Sequence, residues 1–323
     1  MFDKIPTVHT AQEILDIAFK RTQKVVIADR DAYYRKKKTI IAKTESFSQS
    51  IIGILEKYVK NFPSIDNLPE FYQELIDLKL DADKLKKSLG AVNWAKKTSE
   101  KIFNSQIKSI RKSGEIDFLI KKQNEIYGRI SSVVNQIKND LLILSDAQKE
   151  LRKFPIIQDI PTRVLAGFPN VGKSSLLRCM SHAKPKIAVY PFTTKQIYIG
   201  HIKRKEKFVE TKFQIIDTPG LLDRELDRRN DIEKQAIAAL KYLADIIVFI
   251  IDPSETCGYA YKEQKKLLDQ MKKMFEKSSF IIVENKTDIK KTSEENIKLS
   301  CESKKGVDEL IEQIFKIYKE KED

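Results

Sequence analysis

The residue pattern with the clearest chemistry lies at 167–174, where G-F-P-N-V-G-K-S fits the phosphate-loop pattern G-x-x-x-x-G-K-[ST]. An apolar run at 163–166 predicts a strand before this loop, and 171–181 predicts a helix after it. Glycine lets the backbone approach a phosphate closely, and the amides at the start of a helix face an anion. The pattern therefore predicts that Lys173 binds the β- and γ-phosphates and that the Ser174 hydroxyl ligates Mg²⁺.

A second motif, D-T-P-G beginning at Asp217, ends an apolar strand pattern. Asp217 at the strand tip can hold Mg²⁺ through water, and Gly220 can offer its N–H to the γ-phosphate. Between the two motifs, 190–195 is Y-P-F-T-T-K, and a threonine there can place its hydroxyl on Mg²⁺ and its N–H on the γ-phosphate. We favour Thr194 over Thr193 for this role, which would make the segment sensitive to the bound nucleotide.

A third motif, N-K-T-D at 285–288, follows another apolar strand pattern and predicts the choice of base. The Asp288 carboxylate only accepts hydrogen bonds. Guanine presents N1–H and an exocyclic amine together, whereas adenine would leave that carboxylate unpaired. The aliphatic stem of Lys286 can cover the base, and S-C-E beginning at Ser300 can give a backbone N–H to the guanine carbonyl. A guanine nucleotide is favoured because an ATP site would leave Asn285 and Asp288 without a role.

The predicted nucleotide site draws on all of these motifs. The nucleotide-binding residues are Asn170, Val171, Gly172, Lys173, Ser174, Ser175, Asn285, Lys286, Asp288, Ser300 and Cys301. The catalytic residues are Lys173, Thr194 and Gly220. The Mg²⁺ ligands are Ser174, Thr194 and Asp217.

Composition limits the remaining classes of function. The 323 residues carry 60 Lys+Arg against 46 Asp+Glu, a net charge of +14. A polyanionic partner is the natural interpretation, and a lysine-rich protein with well-solvated surfaces is the alternative. Three separated cysteines give no disulfide framework, and three histidines make a histidine-based metal site implausible. Because no apolar run reaches the length of a membrane span, we expect a cytoplasmic protein with no membrane partner.

The most basic stretch of the chain runs from 20 to 43 and contains aromatic residues. Basic groups interleaved with aromatic rings suit RNA, which offers both phosphates and unstacked bases. We predict phosphate contacts for Lys24, Arg35 and Lys38 and a stacking role for Tyr34. The alternative is a solvated helix face with packed tyrosines.

Helical patterning dominates the first half of the chain. Thr10 and Glu13 have the spacing of a capping box, which predicts the start of a helix. Two long amphipathic patterns, at about 81–112 and 115–153, are separated by a Ser-Gly break and predict an antiparallel helical hairpin. We expect Trp94 in the core of this unit.

Strands and helices alternate in the second half of the chain. Two prolines bracket 154–161, so we expect domains 1–153 and 162–323 joined by this linker. The alternation predicts a doubly wound, mainly parallel sheet. The expected strands are 163–168, 196–203, 212–217, 246–252, 280–284 and 297–299, with a polar turn at 203–207. The expected helices are 171–181, 231–243, 259–275 and 306–319.

Taken together, the motifs resemble the Nog branch of the Obg family of GTPases. The phosphate loop, Y-P-F-T-T-K, D-T-P-G-L-L-D and N-K-T-D all fit that branch. The opening of the chain is similar to it as well, with I-P-T-V from Ile5 and I-A-F-K-R-T-Q from Ile17. The resemblance covers nearly the whole chain. It implies an α/β P-loop GTPase domain preceded by an all-α N-terminal domain with a long helical hairpin.

The resemblance also implies a function, namely a GTPase that uses GTP, GDP and Mg²⁺ in assembly of the large ribosomal subunit. Its expected partners are precursor rRNA or pre-ribosomal particles, with ribosomal proteins as further candidates, and the expected oligomeric state is a monomer. The sequence ends soon after the GTPase domain and lacks the long C-terminal extension of nucleolar members. We therefore expect an archaeal-type short form.

One position restricts the catalytic mechanism. Leu221 stands where many small GTPases carry a glutamine that orients water. An aliphatic side chain cannot polarise water, so hydrolysis must rest on positioning and on stabilisation of phosphate charge. In related GTPases an asparagine at the place of Asn170 helps to hold a K⁺ ion. The alternative is that Asn170 only caps the loop.

Three functions remain open at this point. The leading hypothesis is a GTP-hydrolysing assembly factor for the large ribosomal subunit that binds rRNA. A second is a nucleotide-gated binding module with negligible turnover, and a third is a GTPase that acts on another polyanion such as tRNA.

Overall fold

The computed structural model describes residues 2–158, 160–181, 184–189, 196–206, 209–223, 234, 237 and 239–322. The chain divides into two compact units. The first comprises Met1–Leu68 and Lys79–Arg152, and the second comprises Pro69–Leu78 and Lys153–Asp323. None of the described helices combines the length and the apolar character needed to cross a bilayer.

The first unit is helical. The predicted capping box is confirmed, because Thr10 and Glu13 exchange hydrogen bonds between side chain and backbone at the start of the first helix. The Asp31 carboxylate caps the second helix by accepting from the amides of Tyr33 and Tyr34. The helices of this unit are α1 (Ala11–Gln23), α2 (Ala32–Asn61), α4 (Ala82–Lys112), α5 (Ile116–Gln136) and α6 (Lys138–Leu151). Helix α3 (Glu70–Leu80) begins in the second unit.

The long hairpin is present, but its second arm is not one continuous helix as we predicted. Helices α4 and α5 pack against each other, and so do α4 and α6. The expected helix at 115–153 is interrupted at Ile137, which has φ −94° and ψ 16°. Ile137 and Leu141 are both buried, so the apolar spacing continues unbroken through the interruption. Periodicity alone therefore cannot reveal this break.

The expectation that Trp94 belongs to the core was wrong, because 47% of its surface is exposed. The buried face of α4 includes Val92, Ala95 and Ile102, which recur at steps of three and seven. Trp94 lies two residues beyond Val92, which is about 200° around a helix of 3.6 residues per turn. It therefore points away from the packed face.

The described residues of the second unit form a seven-stranded sheet. The strands are β1 (Thr162–Ala166), β2 (Lys186–Val189), β3 (Gln196–Glu206), β4 (Val209–Asp217), β5 (Ile246–Ile251), β6 (Ser279–Glu284) and β7 (Ile297–Lys298). Their order in the sheet is β2-β3-β4-β1-β5-β6-β7. Strand β1 pairs in parallel with β4 and β5, and β6 continues the parallel part between β5 and β7, whereas β2 and β3 are antiparallel additions. The mainly parallel sheet is as predicted. The carboxyl ends of β1, β4, β5 and β6 meet at one edge, where ligands bind in such folds.

Two details of the sheet differ from the sequence prediction. Strand β2 was not expected. The turn predicted at 203–207 is instead strand as far as Glu206, which pairs with Val209. The polar residues of this stretch suggested a turn, but Lys203 and Lys205 are exposed on the strand, so a strand accommodates them equally well.

The described helices of the second unit flank the sheet. They are α7 (Lys173–Met180), α8 (Tyr261–Met274) and α9 (Val307–Glu322). Of the expected helix at 231–243, Leu240–Tyr242 forms a 3₁₀ turn, and most of the remainder lies outside the described residues. Helix α3 is tied to the start of this unit by Tyr72. Its hydroxyl donates to the Pro155 carbonyl (2.8 Å) and accepts from the Ile157 amide (2.9 Å).

Candidate functional site

The phosphate loop has a backbone that only glycine tolerates at two positions. Gly167 has φ 136° and Gly172 has φ 104°. A Cβ at Gly167 would lie 2.4 Å from the Ile250 carbonyl oxygen, and one at Gly172 would lie 2.2 Å from Asn285 Nδ2. The loop is therefore pressed between β5 and the residues that follow β6, which leaves no room for a side chain at either glycine.

The Lys173 ammonium is folded back over this loop. It donates to the carbonyls of Gly167 and Phe168, each at 2.8 Å, and the side chain is buried. Burial lowers the pKa of Lys173, while the carboxylates of Asp223 and Asp217 act in the opposite direction. The loop thus holds the ammonium at its own centre.

The predicted Mg²⁺ ligands Ser174 and Asp217 are in contact. The Ser174 hydroxyl donates to Asp217 Oδ2 at 2.5 Å. Asp217 is fully buried, and its Oδ1 has no hydrogen-bond partner among the described residues. Burial raises the pKa of this carboxyl, as expected for a charge with incomplete compensation. A hydroxyl and a carboxylate with an unused oxygen fit a hard divalent cation. Thr193 and Thr194 lie outside the described residues.

A pocket of about 300 Å³ opens beside the loop. Most of the residues predicted to bind the nucleotide line it. The lining consists of Asn170, Gly172, Ser175, Asn285, Lys286, Asp288, Ile289, Ser300, Cys301 and Glu302. Asp288 is exposed at its mouth. The phosphate loop, the N-K-T-D motif and the S-C-E segment, which are more than a hundred positions apart at their extremes, thus meet around one cavity.

Asn285 joins the three loops that form the pocket. Its amide nitrogen donates to the Val171 carbonyl (2.8 Å), and its oxygen accepts from the Cys301 amide (3.1 Å). The Ser300 amide donates to the Lys305 carbonyl (3.0 Å). Two amides of the S-C-E segment therefore donate hydrogen bonds within the protein.

Sequence reasoning missed Asp252, which positions Lys286. Asp252 follows β5 and is fully buried, and its Oδ2 accepts from the Lys286 ammonium at 2.7 Å. The same ammonium donates to the Thr256 hydroxyl at 2.8 Å. Burial acts to raise the pKa of Asp252, but the hydrogen bonds from Lys286, Ser254 and Thr256 outweigh it and lower the pKa. The sequence signal was D-P-S-E-T-C-G-Y directly after the apolar run at 246–251.

The Asp252 loop also reaches the phosphate loop. The rings of Phe168 and Tyr259 stack with centroids 4.2 Å apart. Asp252 therefore holds the ammonium of Lys286 in place. The loop that carries Asp252 is itself packed against the phosphate loop.

Two basic residues of the first unit that were predicted to contact RNA also make contacts within the protein. The Lys38 ammonium pairs with Asp29 at 2.7 Å, and the Arg35 guanidinium donates to the Asp29 carbonyl at 3.2 Å. Lys24 is exposed, as is 54% of Tyr34. Of the predicted RNA contacts, Lys24 and Tyr34 thus face solvent, while Arg35 and Lys38 also hold the segment that leads into α2.

The sheet order and the phosphate loop define a P-loop GTPase fold. Residues 2–158 match the NOG1 N-terminal helical domain, and residues 231–288 match nucleolar GTP-binding protein 1 (NOG1). Relatives of the whole chain are known. An uncharacterized protein of Methanocaldococcus jannaschii is 38% identical over 301 residues, which cover 92% of this chain and 83% of that protein. The nucleolar GTP-binding protein 1 of Kluyveromyces lactis is 34% identical over 313 residues, which cover 95% of this chain and 47% of that protein.

The chain belongs to the nucleolar GTP-binding protein 1 family, and its long match to the archaeal protein fits the short archaeal-type form. It spans about half the length of the nucleolar relatives it matches. Among solved structures, a nucleolar GTP-binding protein 1 from Plasmodium falciparum is 33% identical, covering 52% of this chain and 96% of that one with a TM-score of 0.41.

Proposed function

We propose that the protein binds GTP and hydrolyses it to GDP and phosphate during assembly of the large ribosomal subunit. The single observation that carries the nucleotide assignment is the Asn285 junction, which joins the N-K-T-D loop, the phosphate loop and the Cys301 loop around one pocket. In this assignment Asp288 recognises guanine, Lys286 covers the base, and Lys173 binds the β- and γ-phosphates.

The divalent cation would be held by Ser174, Asp217 and Thr194. Mg²⁺ at that place would neutralise developing charge on the β- and γ-phosphate oxygens. Gly220 would donate its N–H to the γ-phosphate. Multiple-turnover phosphate release from GTP, measured with and without purified large ribosomal subunits, tests the assignment. Binding without turnover in both conditions would favour a nucleotide-gated binding module instead.

Slow intrinsic hydrolysis is expected because Leu221 is buried and cannot orient water. We predict a rate within a few orders of magnitude of the roughly 10⁻⁴ s⁻¹ of an unassisted small GTPase. Asn170 lines the pocket and has a left-handed backbone with φ 61°. If its side chain holds K⁺, replacing K⁺ with Na⁺ at constant ionic strength slows hydrolysis.

The matched variant for the K⁺ prediction is Asn170→Gly, which removes the side-chain oxygen while glycine accepts the left-handed backbone. This variant is expected to hydrolyse GTP equally slowly in both salts. Equal rates for the unmodified protein in K⁺ and Na⁺ would remove the potassium role and leave Asn170 as a loop cap.

The proposed macromolecular partner is rRNA or a pre-ribosomal particle, bound in the cytoplasm by a monomer. The net charge of +14 supports a polyanion, and the relatives are named nucleolar GTP-binding proteins. Cross-linking the protein to RNA in cells and mapping the reads tests this proposal. Reads concentrated on tRNA would favour the alternative polyanion, and reads on large-subunit rRNA support the assembly role.

Charge reversal at Lys24, Arg35 and Lys38 is expected to weaken binding to large subunits while GTP affinity stays normal. Each lost phosphate contact should reduce the magnitude of the slope of log affinity against log salt by about one unit. The slope of the triple variant should therefore be smaller in magnitude by about three units. The measurement is affinity for purified large subunits across a salt series.

A control is needed because Arg35 and Lys38 both contact Asp29. Asp29→Asn weakens the side-chain pairing with Lys38, leaves in place the backbone carbonyl that accepts from Arg35, and keeps all three cations. Normal subunit affinity in Asp29→Asn, together with weak binding in the triple variant, assigns the effect to phosphate contact. Wild-type affinity and slope in the triple variant would mean that this stretch is solvated surface.

A further inference from the structure

Asp223 occupies an unexpected position in the proposed γ-phosphate site. It lies three residues after Gly220, its side chain is buried, and its Oδ2 accepts from the Gly220 amide at 2.6 Å. This is the N–H that the D-T-P-G motif is expected to offer to the γ-phosphate. A carboxylate of the protein itself is therefore bound where the terminal phosphate of GTP would bind.

The surrounding turn holds Asp223 in that place. The Leu221 amide donates to the Thr218 carbonyl, and the Gly167 amide donates to the Leu222 carbonyl, both at 3.0 Å. Leu221 and Leu222 are buried. The turn is thus pinned to the first residue of the phosphate loop, so Asp223 stays next to the loop rather than facing solvent.

The Lys173 ammonium near Asp223 is a charge that a γ-phosphate would also use. The Asp223 carboxylate is close enough to oppose the lowering of the Lys173 pKa by burial, and it adds to the raising of the Asp217 pKa that burial causes. Asp223 therefore shares its surroundings with the ammonium that is proposed to bind the β- and γ-phosphates. A carboxylate there satisfies the same amide donor and faces the same cation.

We infer that Asp223 acts as a carboxylate latch that competes with the γ-phosphate for the Gly220 amide and so sets the preference for GDP over GTP. An N–H that points at the Asp223 carboxylate cannot also make a strong, linear hydrogen bond to the γ-phosphate, and two anions held that close together repel. GTP must displace the carboxylate, whereas GDP has no γ-phosphate and leaves it in place. This inference rests on the proposed GTPase function and identifies a residue that determines its nucleotide preference.

The test compares the affinities of a non-hydrolysable GTP analogue and of GDP, both with Mg²⁺, for the unmodified protein, Asp223→Ala and Asp223→Asn. Asp223→Ala should bind the analogue about tenfold more tightly or better, since a hydrogen bond to a charged group no longer has to be broken, while GDP affinity changes less than about twofold. Asp223→Asn keeps a hydrogen-bond acceptor without the charge, so its affinity for the analogue should lie between those of the unmodified protein and Asp223→Ala. Asp269→Asn, an exposed carboxylate on α8, is the control that changes charge alone.

The outcomes separate the latch from the GTPase assignment. If the unmodified protein binds neither nucleotide, the GTPase proposal fails and the latch fails with it. If it binds both and the ratio of analogue to GDP affinity is the same in Asp223→Ala, Asp223→Asn and the unmodified protein, only the latch is overturned. A fall in single-turnover hydrolysis with an unchanged ratio also overturns it, because that result makes Asp223 a residue of the hydrolytic step. Asp223→Asn keeps the test open if the alanine variant does not fold.

Discussion

Asp288→Asn is expected to lower GTP affinity by about 100-fold or more and to shift preference towards xanthosine triphosphate. The carboxylate would accept two hydrogen bonds from guanine, and each bond to a charged group is worth about 1.5–3 kcal/mol. An amide presents a donor where guanine also presents a donor. Xanthine has a carbonyl at that place, so the amide of the variant can complement it.

Isothermal titration with both nucleotides measures this exchange of preference. Asp288 lies exposed at the mouth of the pocket, so its replacement should not affect folding. Asp269→Asn makes the same chemical change on an exposed face of α8, away from the pocket, and should leave both affinities as they were. GTP affinity that is unchanged in Asp288→Asn would count against the assignment of this residue to the base.

The motifs of the site were predictable because each is a short local pattern. Glycine was expected at Gly167 and Gly172 because the loop needs backbone conformations that other residues rarely adopt, and the positive φ values agree with that expectation. The mainly parallel sheet was predictable too, because buried strands such as β5 are short apolar runs between helical patterns. The roles assigned to the individual side chains of the site stay predictions.

The links between motifs were not predictable, because they join residues that are distant in sequence. Asn285 contacts Val171, 114 positions away, through a bond that no spacing rule encodes. Asp252 supports Lys286 from 34 positions away. The local signal for Asp252 was present, but only the folded chain shows which lysine it meets.

Helical periodicity failed in two ways in the first unit. At Ile137 the apolar spacing continues although the helix is interrupted, because packing against α4 needs buried residues on both sides of the break. At Trp94 the residue type suggested the core, but its position on the helix places it opposite the buried face. At Ile137 the apolar pattern predicted the buried residues correctly but not the break in the helix. At Trp94 the same pattern, applied to its position on the helix, already indicates an exposed side chain.

Gly172→Ala is expected to reduce the affinity for GTP and GDP alike by more than about 100-fold. The new Cβ would lie 2.2 Å from Asn285 Nδ2, so Asn285 would have to move and its bond to the Val171 carbonyl would break. The loss should be equal for the two nucleotides, because the clash separates the phosphate loop from the base loop rather than acting on the γ-phosphate. A left-handed backbone costs an alanine roughly 1–2 kcal/mol in addition.

Gly258→Ala separates the clash from the backbone strain. Gly258 has φ 91°, close to the value at Gly172, but a Cβ there would meet nothing within 4 Å. Both variants therefore carry the strain of a left-handed alanine, and only Gly172→Ala pushes on Asn285. Nucleotide affinity that falls by more than about 100-fold in Gly172→Ala and stays within about 30-fold of normal in Gly258→Ala assigns the loss to the Asn285 junction, since strain of roughly 1–2 kcal/mol accounts for no more than about a 30-fold change. Equal losses in both variants would mean that loop strain, and not the junction, controls nucleotide binding.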